Sequence, residues 1–137
     1  MTLKNEYKKL ENLPPLEKSQ QVQKLTDEAT NFGYDNKHDI LKDLYDEIHE
    51  MEEELNKHSK EIDNTQRILE ELGDVLFVLG NLANRYNISS AKALDYSIKE
   101  FERRMIYCEE HYKGGDLKIA PKEEMIRLWK EAKKAKQ

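Results

Sequence analysis

Apolar residues recur every three or four positions along most of the chain, which is the spacing of a helix with one buried face. The clearest stripe runs from Ile68 to Tyr86 and keeps one face apolar over about five turns. No segment alternates between apolar and polar residues with a period of two, as a half-buried strand would. The pattern predicts an all-α protein.

Five helices are predicted, at about 16–31, 39–57, 63–86 and 90–112, with a last short one from Pro121. Pro14 and Pro15 suit the opening turn of the first helix, and Gly33 is a candidate C-terminal cap for it. Asp63, followed three residues later by Gln66, resembles a capping box that opens the third helix. We expect a helical bundle of four to five helices, built mainly from the second, third and fourth.

The length of 137 residues predicts a single domain over 1–137, with a core at about 13–113 and a C-terminal helix and lysine-rich tail at about 121–137. Charged residues make up 37% of the chain and apolar residues another 37%. A monomer with so few apolar residues has a thin core, and burying a helix face against a second copy would remedy this. We therefore expect a homo-oligomer.

Charge and cysteine content exclude several classes of protein. The formal net charge of −5 argues against nucleic-acid binding. The single cysteine, Cys108, excludes a disulfide framework and a cysteine-rich zinc site. No signal peptide is apparent at the N-terminus, and the longest apolar run, Val75–Leu79, is far shorter than the ~20 residues that span a bilayer. The expectation is a soluble cytoplasmic protein without a membrane partner.

The predicted helix at 39–57 carries a row of acids, Asp43, Glu47, Glu50 and Glu54, at spacings of four, three and four residues. Such a row is usually a solvated surface. This one, however, lies beside the apolar stripe rather than opposite it. Like charges at these spacings destabilise a helix, and burying them costs more unless they are paired. A bound cation would relieve both penalties.

The next predicted helix supplies a matching pair, Glu71 and Asp74. If the two helices pack as an antiparallel hairpin, Glu47, Glu50, Glu71 and Asp74 can converge. Ligands that are all oxygen suit hard divalent cations, Mg²⁺ first and Mn²⁺ second. Gly73, between the two acids, costs ~1 kcal/mol against Ala in a helix. A glycine at this position predicts that a ligand or another backbone lies close to the helix, or that two helices cross there.

Other arrangements carry less chemistry. Asp46-x-x-His49 is only half of the pattern expected of a di-iron bundle, and His49 has no second histidine with which to form a zinc-protease helix. Cys108 alone is more typical of a packed thiol than of a nucleophile. Arg103 and Arg104 could meet a phosphate, although a solvated pair is the ordinary interpretation.

Glu47-Ile-His-Glu50, followed after twenty residues by Glu71-Leu-Gly-Asp74, resembles the signature of MazG-type nucleoside triphosphate pyrophosphohydrolases. The likeness extends over about residues 13–113. It includes, in the family's order, these further stretches: Leu13–Leu16, Gly33–Asp35, Leu69–Phe77, Asn81–Ala83 and Phe101–Arg104.

The resemblance implies an all-α, MazG-like fold that forms homodimers or homotetramers. It also implies Mg²⁺-dependent cleavage of an NTP or dNTP to the monophosphate and pyrophosphate. Cleaning of the nucleotide pool is a cellular role that such an activity would serve. The matching Glu47, Glu50, Glu71 and Asp74 would be the catalytic metal ligands. The residues agree with this chemistry, because an acidic protein needs a metal to bring in so anionic a substrate.

The chain departs from the family's pattern at basic positions. Asp46 stands where the family often has Glu, and Leu44 where a lysine is common. Ile98-Lys99-Glu100-Phe101 replaces a frequent Asn-x-Lys-Phe. Candidate substrate contacts are therefore Lys99, Arg103, Arg104 and Asn81. The alternative is a catalytically weakened MazG-fold module that binds nucleotides or a partner.

Overall fold

The computed structural model describes residues 2–135, and every regular element in that range is helical. Six α-helices follow one another, and a 3₁₀ helix, Leu117–Ile119, precedes the last of them. They are α1 (Leu3–Lys8), α2 (Pro15–Ala29), α3 (Lys37–Lys57), α4 (Thr65–Arg85), α5 (Ser90–His111) and α6 (Lys122–Lys134). The all-α prediction is confirmed, and α1 is an additional helix that the apolar pattern did not predict.

The chain forms two compact units, the first ending at Ala91 and the second beginning at Lys92. In the first unit α1 is short, with the Thr2 hydroxyl accepting from the backbone N–H of Asn5 at 3.2 Å. A hydrogen bond of 2.6 Å between the hydroxyls of Tyr7 and Thr26 ties it to α2. A six-residue helix without buried residues depends on such a contact, because short helices are marginal on their own.

Amide side chains, rather than apolar ones, join α2 to α4. The buried Gln20 donates from Nε2 to Asn84 Oδ1 at 3.1 Å and to the carbonyl of Ile88 at 2.8 Å. Its Oε1 accepts from the backbone N–H of Ser90, and Asn84 Nδ2 returns a bond to the Gln20 carbonyl. Because Gln20 pairs with position 84 and Gln23 with position 77, the two helices run antiparallel.

Gly80, not Gly73, is where helices come close. A Cβ at Gly80 would lie 3.1 Å from Ser19 Oγ and 3.2 Å from Gln23 Nε2, both on α2. A Cβ at Gly73 would have no other described atom within 4 Å. The prediction that Gly73 marks a crossing point or a close backbone is therefore wrong for the described residues. Glycine at 80 lets the α2 and α4 backbones approach.

The α3–α4 pair forms the predicted antiparallel hairpin. Asn36 caps α3 by accepting from the backbone N–H groups of His38 and Asp39. At the far end, α4 begins at Thr65, and Asp63 Oδ1 accepts from both the backbone N–H and the hydroxyl of Thr65. This is a local turn of the kind that short polar side chains form, so the capping box predicted with Gln66 is not present.

The first unit has a thin apolar core, as the composition predicted. Ile40 and Val78 are its buried large aliphatic residues among those described. Four leucines of α4 that share one face, by their spacing of three, four and three, remain about half exposed: Leu69, Leu72, Leu76 and Leu79.

In the second unit, Cys108 of α5 and Leu128 and Ala132 of α6 are buried. The rings of Phe101 and Trp129 are 5.5 Å apart in a tilted arrangement. Cys108 is a packed thiol, and burial raises its pKa, which leaves it a poor nucleophile.

Candidate active site

Three of the predicted acids converge between α3 and α4. Carboxylate oxygens of Glu47, Glu71 and Asp74 lie within 4.8 Å of one another. Glu47 comes from α3, whereas Glu71 and Asp74 lie one turn apart on α4. Glu50 lies outside this closest group, but it is near enough to raise the pKa of both Glu47 and Glu71 and so belongs to the same cluster. We call these four residues the carboxylate quartet.

Two oxygens of the quartet are buried without a partner. Glu47 Oε2 and Glu71 Oε2 have almost no solvent contact and accept no hydrogen bond within residues 2–135. Burial of a carboxylate disfavours its charged form, and so do negative charges nearby. Burial, followed by the charges of Glu50 and Asp74, raises the pKa of Glu47 to about 7. Burial and the same two neighbours also raise the pKa of Glu71.

A divalent cation fits this donor set. The ligand atoms are all carboxylate oxygens, which are the donors that Mg²⁺ and Mn²⁺ prefer. No described cation faces the quartet in an ion pair, and Glu47 and Glu71 each hold an unsatisfied oxygen. A bound metal ion would give these oxygens the positive partner that they lack. A solvated acidic surface would need no such partner, because water would satisfy its oxygens.

The carboxylates at the two ends of the acidic row on α3 accept hydrogen bonds from side chains of the adjoining loops. Tyr34 donates its hydroxyl to Asp43 Oδ2 at 2.5 Å, and burial, followed by this bond, raises the pKa of Tyr34. Asn64 donates from Nδ2 to the Glu54 carbonyl at 2.7 Å and to Glu54 Oε2 at 2.8 Å. Asp43 and Glu54 thus fix the loops on either side of α3, which leaves Glu47 and Glu50 to face α4.

The helix α3 also carries the residues weighed for other metal sites. His49 is exposed and pairs with Glu53 at 3.2 Å, on the same helix. Among the described residues, neither His49 nor Asp46 joins a group of three metal-ligating side chains. The half-pattern of a di-iron site is therefore not completed in the part of the chain that the structure describes.

Asn81 lies on the same face of α4 as Asp74, two turns further on. It is 8% exposed and lines two cavities of the first unit, one of about 310 Å³ and one of about 480 Å³.

The three basic candidates lie in the second unit. Lys99 pairs with Asp95 at 2.9 Å on the helix surface. Arg103 binds Glu100 and donates to the carbonyl of Ala132 at 3.0 Å. Arg104 also binds Glu100, at 3.4 Å, and its guanidinium carbon lies 5.3 Å from the centre of the Trp129 ring. Glu100, which departs from the family's lysine, thus binds both arginines.

Sequence reasoning did not identify Tyr34, Asn64 or Gln23 as parts of this region. Tyr34 belongs to Gly33–Asp35, one of the stretches that resemble the family, but its position in the sequence did not indicate a hydrogen bond to Asp43. The pairing depends on how the 30–36 loop returns to α3.

Comparison with known proteins agrees with the geometry. The family model described as the MazG nucleotide pyrophosphohydrolase domain matches residues 35–108, more than half of the chain. The uncharacterized protein YabN of Bacillus subtilis (strain 168) is 42% identical over 65 residues. That match covers 46% of this chain but only 13% of the relative, so the chain corresponds to a small part of a much longer protein. Among the described residues, no helix has both the length and the apolar character that a membrane span requires.

Proposed function

Because the chain belongs to the MazG nucleotide pyrophosphohydrolase family, we propose that it hydrolyses an NTP or dNTP to the monophosphate and pyrophosphate. The proposed cofactor is Mg²⁺, with Mn²⁺ as a possible substitute. The observation that carries this proposal is the convergence of Glu47, Glu71 and Asp74, two of which have buried oxygens that accept no hydrogen bond from any described residue.

The quartet would hold the cation through Glu47, Glu71 and Asp74, with Glu50 as the fourth carboxylate. A bound divalent cation would neutralise part of the triphosphate charge and stabilise the charge that develops on the leaving pyrophosphate. The protein supplies the fixed geometry, because each ligand comes from a helix rather than from a loop. Tyr34 and Asn64 hold the adjoining ends of α3 in place.

The reaction consumes one water molecule. Its oxygen forms a bond to the α-phosphorus, the bond from that phosphorus to the α,β-bridging oxygen breaks, and pyrophosphate leaves. One proton of the water must be accepted as the bond forms. A carboxylate oxygen of the quartet that the cation leaves free is the available base.

The direct test is pyrophosphate release from the eight common NTPs and dNTPs with Mg²⁺. We expect release from at least one of them, and none in EDTA. The substitution Glu71→Gln should reduce the rate by about a hundredfold or more, because the metal loses a charged ligand. Glu70→Gln, a change of the adjacent exposed acid, is the matched control and should leave the rate near wild type. A folded, metal-saturated protein that releases no pyrophosphate from any of the eight would refute the proposal.

A nucleotide-binding or interaction module with weakened turnover is a second candidate, favoured by one observation. Glu100 binds both Arg103 and Arg104, so a phosphate would have to compete with this carboxylate for them. The substitution Glu100→Lys separates the two functions. A large gain in turnover would indicate that the weakened enzyme is the natural state, whereas a fall from a readily measured wild-type rate favours the ordinary enzyme.

We also propose that the protein acts in the cytoplasm, where nucleotide-pool cleaning would occur, and as a homodimer or homotetramer. The support for the oligomer is the half-exposed leucine face of α4.

A further inference from the structure

A cavity of about 310 Å³ lies in the first unit, lined by residues of α1 to α4 and of the loop before α3. Val22 and Phe77 form apolar parts of its wall, and the exposed Phe32 stands at its edge. The volume is at the lower end of the range for small-molecule sites, ~300–1,000 Å³. Flat aromatic side chains beside a small cavity suit a planar ring, because bases stack on them with little regard to sequence.

The side chain of Asn81 lines this cavity and is left without a partner. It is nine-tenths buried, and its amide forms no hydrogen bond with any residue in the described range 2–135. Gln20, Gln23 and Asn84, the neighbouring amides, all form bonds. An amide that is mostly buried and has no partner among the described residues is free to bond with a ligand in the cavity.

The other polar atoms of the cavity are mainly acceptors. Gln23 donates both hydrogens of Nε2, to the carbonyls of Ser19 at 3.1 Å and Phe77 at 2.9 Å. These bonds fix its Oε1 as an acceptor, and no described residue donates to that oxygen. Asp27 and Asp43 add carboxylates, and Tyr34 directs its only hydroxyl proton to Asp43. A ligand that donates from an amino group would match this lining.

The cavity lies beside the quartet, at a distance that a nucleoside could span from phosphates held there. Asn81 follows Asp74 by seven residues, or about 10 Å along the helix, and Asp43 precedes Glu47 by one turn. The negative charges of Asp27 and Asp43 disfavour phosphate in the cavity. The triphosphate would therefore lie at the quartet, and the uncharged end of the substrate would extend toward Asn81.

We propose, on the basis of the function proposed above, that this cavity binds the nucleobase and selects bases that carry an exocyclic amino group. Asn81 and Gln23 are the specificity-determining residues. Cytosine and adenine each present such an amino group, as a donor that uracil and hypoxanthine lack at the same position. The cavity would determine which triphosphate is used, whereas the quartet would act on the phosphate bond.

Two matched pairs of substrates test the selection, CTP against UTP and ATP against ITP. Each pair has the same ring size and differs by amino against oxo on one ring carbon, with the adjacent ring nitrogen bare in the amino member and protonated in the oxo member. We expect kcat/KM to favour the amino member of each pair by about tenfold or more, because a hydrogen bond to a buried acceptor replaces a repulsive contact. Equal kcat/KM within both pairs would overturn the inference.

Asn81→Leu should reduce the preference to within about threefold. It should melt near the wild-type temperature, because no side-chain hydrogen bond within the described residues is lost. Asn81→Asp keeps the acceptor and should keep the preference. Asn56→Leu, the same change at an exposed position of α3, is the control. A preference that survives in Asn81→Leu would overturn the inference.

Binding of the monophosphates separates this inference from the proposed function, because it needs no turnover. CMP and UMP would be titrated into the wild type and Asn81→Leu, with Mg²⁺, and followed by NMR chemical shifts. Tighter binding of CMP that is lost in Asn81→Leu supports the cavity even if no triphosphate is hydrolysed. Equal binding of CMP and UMP rejects the cavity even if pyrophosphate is released.

Discussion

At the scale of single residues, a proton and a divalent cation compete for the same oxygens of Glu47. Burial and the charges of Glu50 and Asp74 raise the pKa of this carboxyl to about 7. The proton and the metal relieve the same repulsion, so each should weaken the binding of the other.

The stability of the metal-free protein should therefore depend on pH through Glu47. An acid with a raised pKa binds its proton more tightly in the folded state, so the proton stabilises the fold. This contribution is fully present below about pH 4.5 and is lost as the pH rises toward about 7. Urea unfolding in EDTA at pH 5, 6, 7 and 8 would measure it. In Glu47→Gln the decline over this interval should be smaller, and equal declines in both proteins would contradict the assignment.

The quartet should also respond to metal. Mg²⁺ that binds only the folded state stabilises it by about 2.7 kcal/mol at a hundredfold excess over its Kd. We expect millimolar Mg²⁺ to raise the Tm of the wild type but not of Glu50→Gln. Without metal, Glu50→Gln should be as stable as the wild type or slightly more so, because one crowded charge is gone. Glu52→Gln, at an exposed position on α3, should keep the full Mg²⁺ effect. An unchanged shift in Glu50→Gln would show that Glu50 is not a ligand.

The acids of this region could be predicted from sequence, but most of their partners could not. Helical periodicity fixes which residues share a face, so Glu47 and Glu50 on one helix and Glu71 and Asp74 on the next are predictable as sets. Tyr34 and Asn64 reach their carboxylates from loops, whose paths no periodicity describes. The unpaired state of Asn81 depends on how α2 and α4 are aligned. The spacing of residues within each helix does not predict that alignment.

At the scale of the elements, Asn64 connects the end of α3 to the start of α4. Its Nδ2 serves both the carbonyl and the carboxylate of the buried Glu54, and its Oδ1 is 2.9 Å from His58 Nδ1. Removing these bonds leaves buried acceptors unsatisfied. Asn64→Ala should lower the free energy of unfolding by about 1–3 kcal/mol, measured by urea denaturation. Asn56→Ala changes an exposed residue and should have little effect on stability. If Asn64→Ala lowers the free energy of unfolding no more than Asn56→Ala does, Asn64 does not hold the two helices together.

The two glycines of α4 should respond to alanine with opposite signs. At Gly73 the new Cβ meets open space, so the gain in helix propensity, up to ~1 kcal/mol, should appear as added stability. At Gly80 the Cβ would press on Ser19 and on the amide of Gln23, which two hydrogen bonds hold in place. Gly80→Ala should therefore destabilise by about 1 kcal/mol or more. Thermal and urea unfolding of both variants provide the test, and a stabilised Gly80→Ala would show that α2 yields easily.

The helices themselves were predictable where apolar periodicity was long. Both α3 and α5 begin and end within about two residues of the predicted bounds. The predicted bounds were wrong at helix ends whose position is determined by polar side chains. Ala29 is the last residue of α2, and Thr30 rather than Gly33 caps it. The segment that forms α1 is too short and too polar to show a period, and its contact with Thr26 ties it to α2.

At the scale of the whole molecule, the two faces of α4 have different environments. The face with Glu71, Asp74 and Asn81 is directed toward the neighbouring helices of the first unit. The face with Leu72 and Leu76 is about half exposed, together with Leu69 and Leu79. Contiguous exposed apolar surface of this kind typically marks an interface. A second copy of the chain would bury it and add to a thin core.

We therefore expect that the leucine face of α4 is what holds a homodimer or homotetramer together. Sedimentation equilibrium at micromolar concentration should give two or four times the chain mass of 16.2 kDa. The double substitution Leu72→Glu and Leu76→Glu places charges in the interface and should yield a folded particle of one chain. Ile119→Glu adds a charge at an exposed apolar residue of the second unit and should leave the assembly intact. A wild type that sediments as one chain would contradict the expectation, and so would a double variant that keeps the wild-type mass, because the contact would then lie on another face.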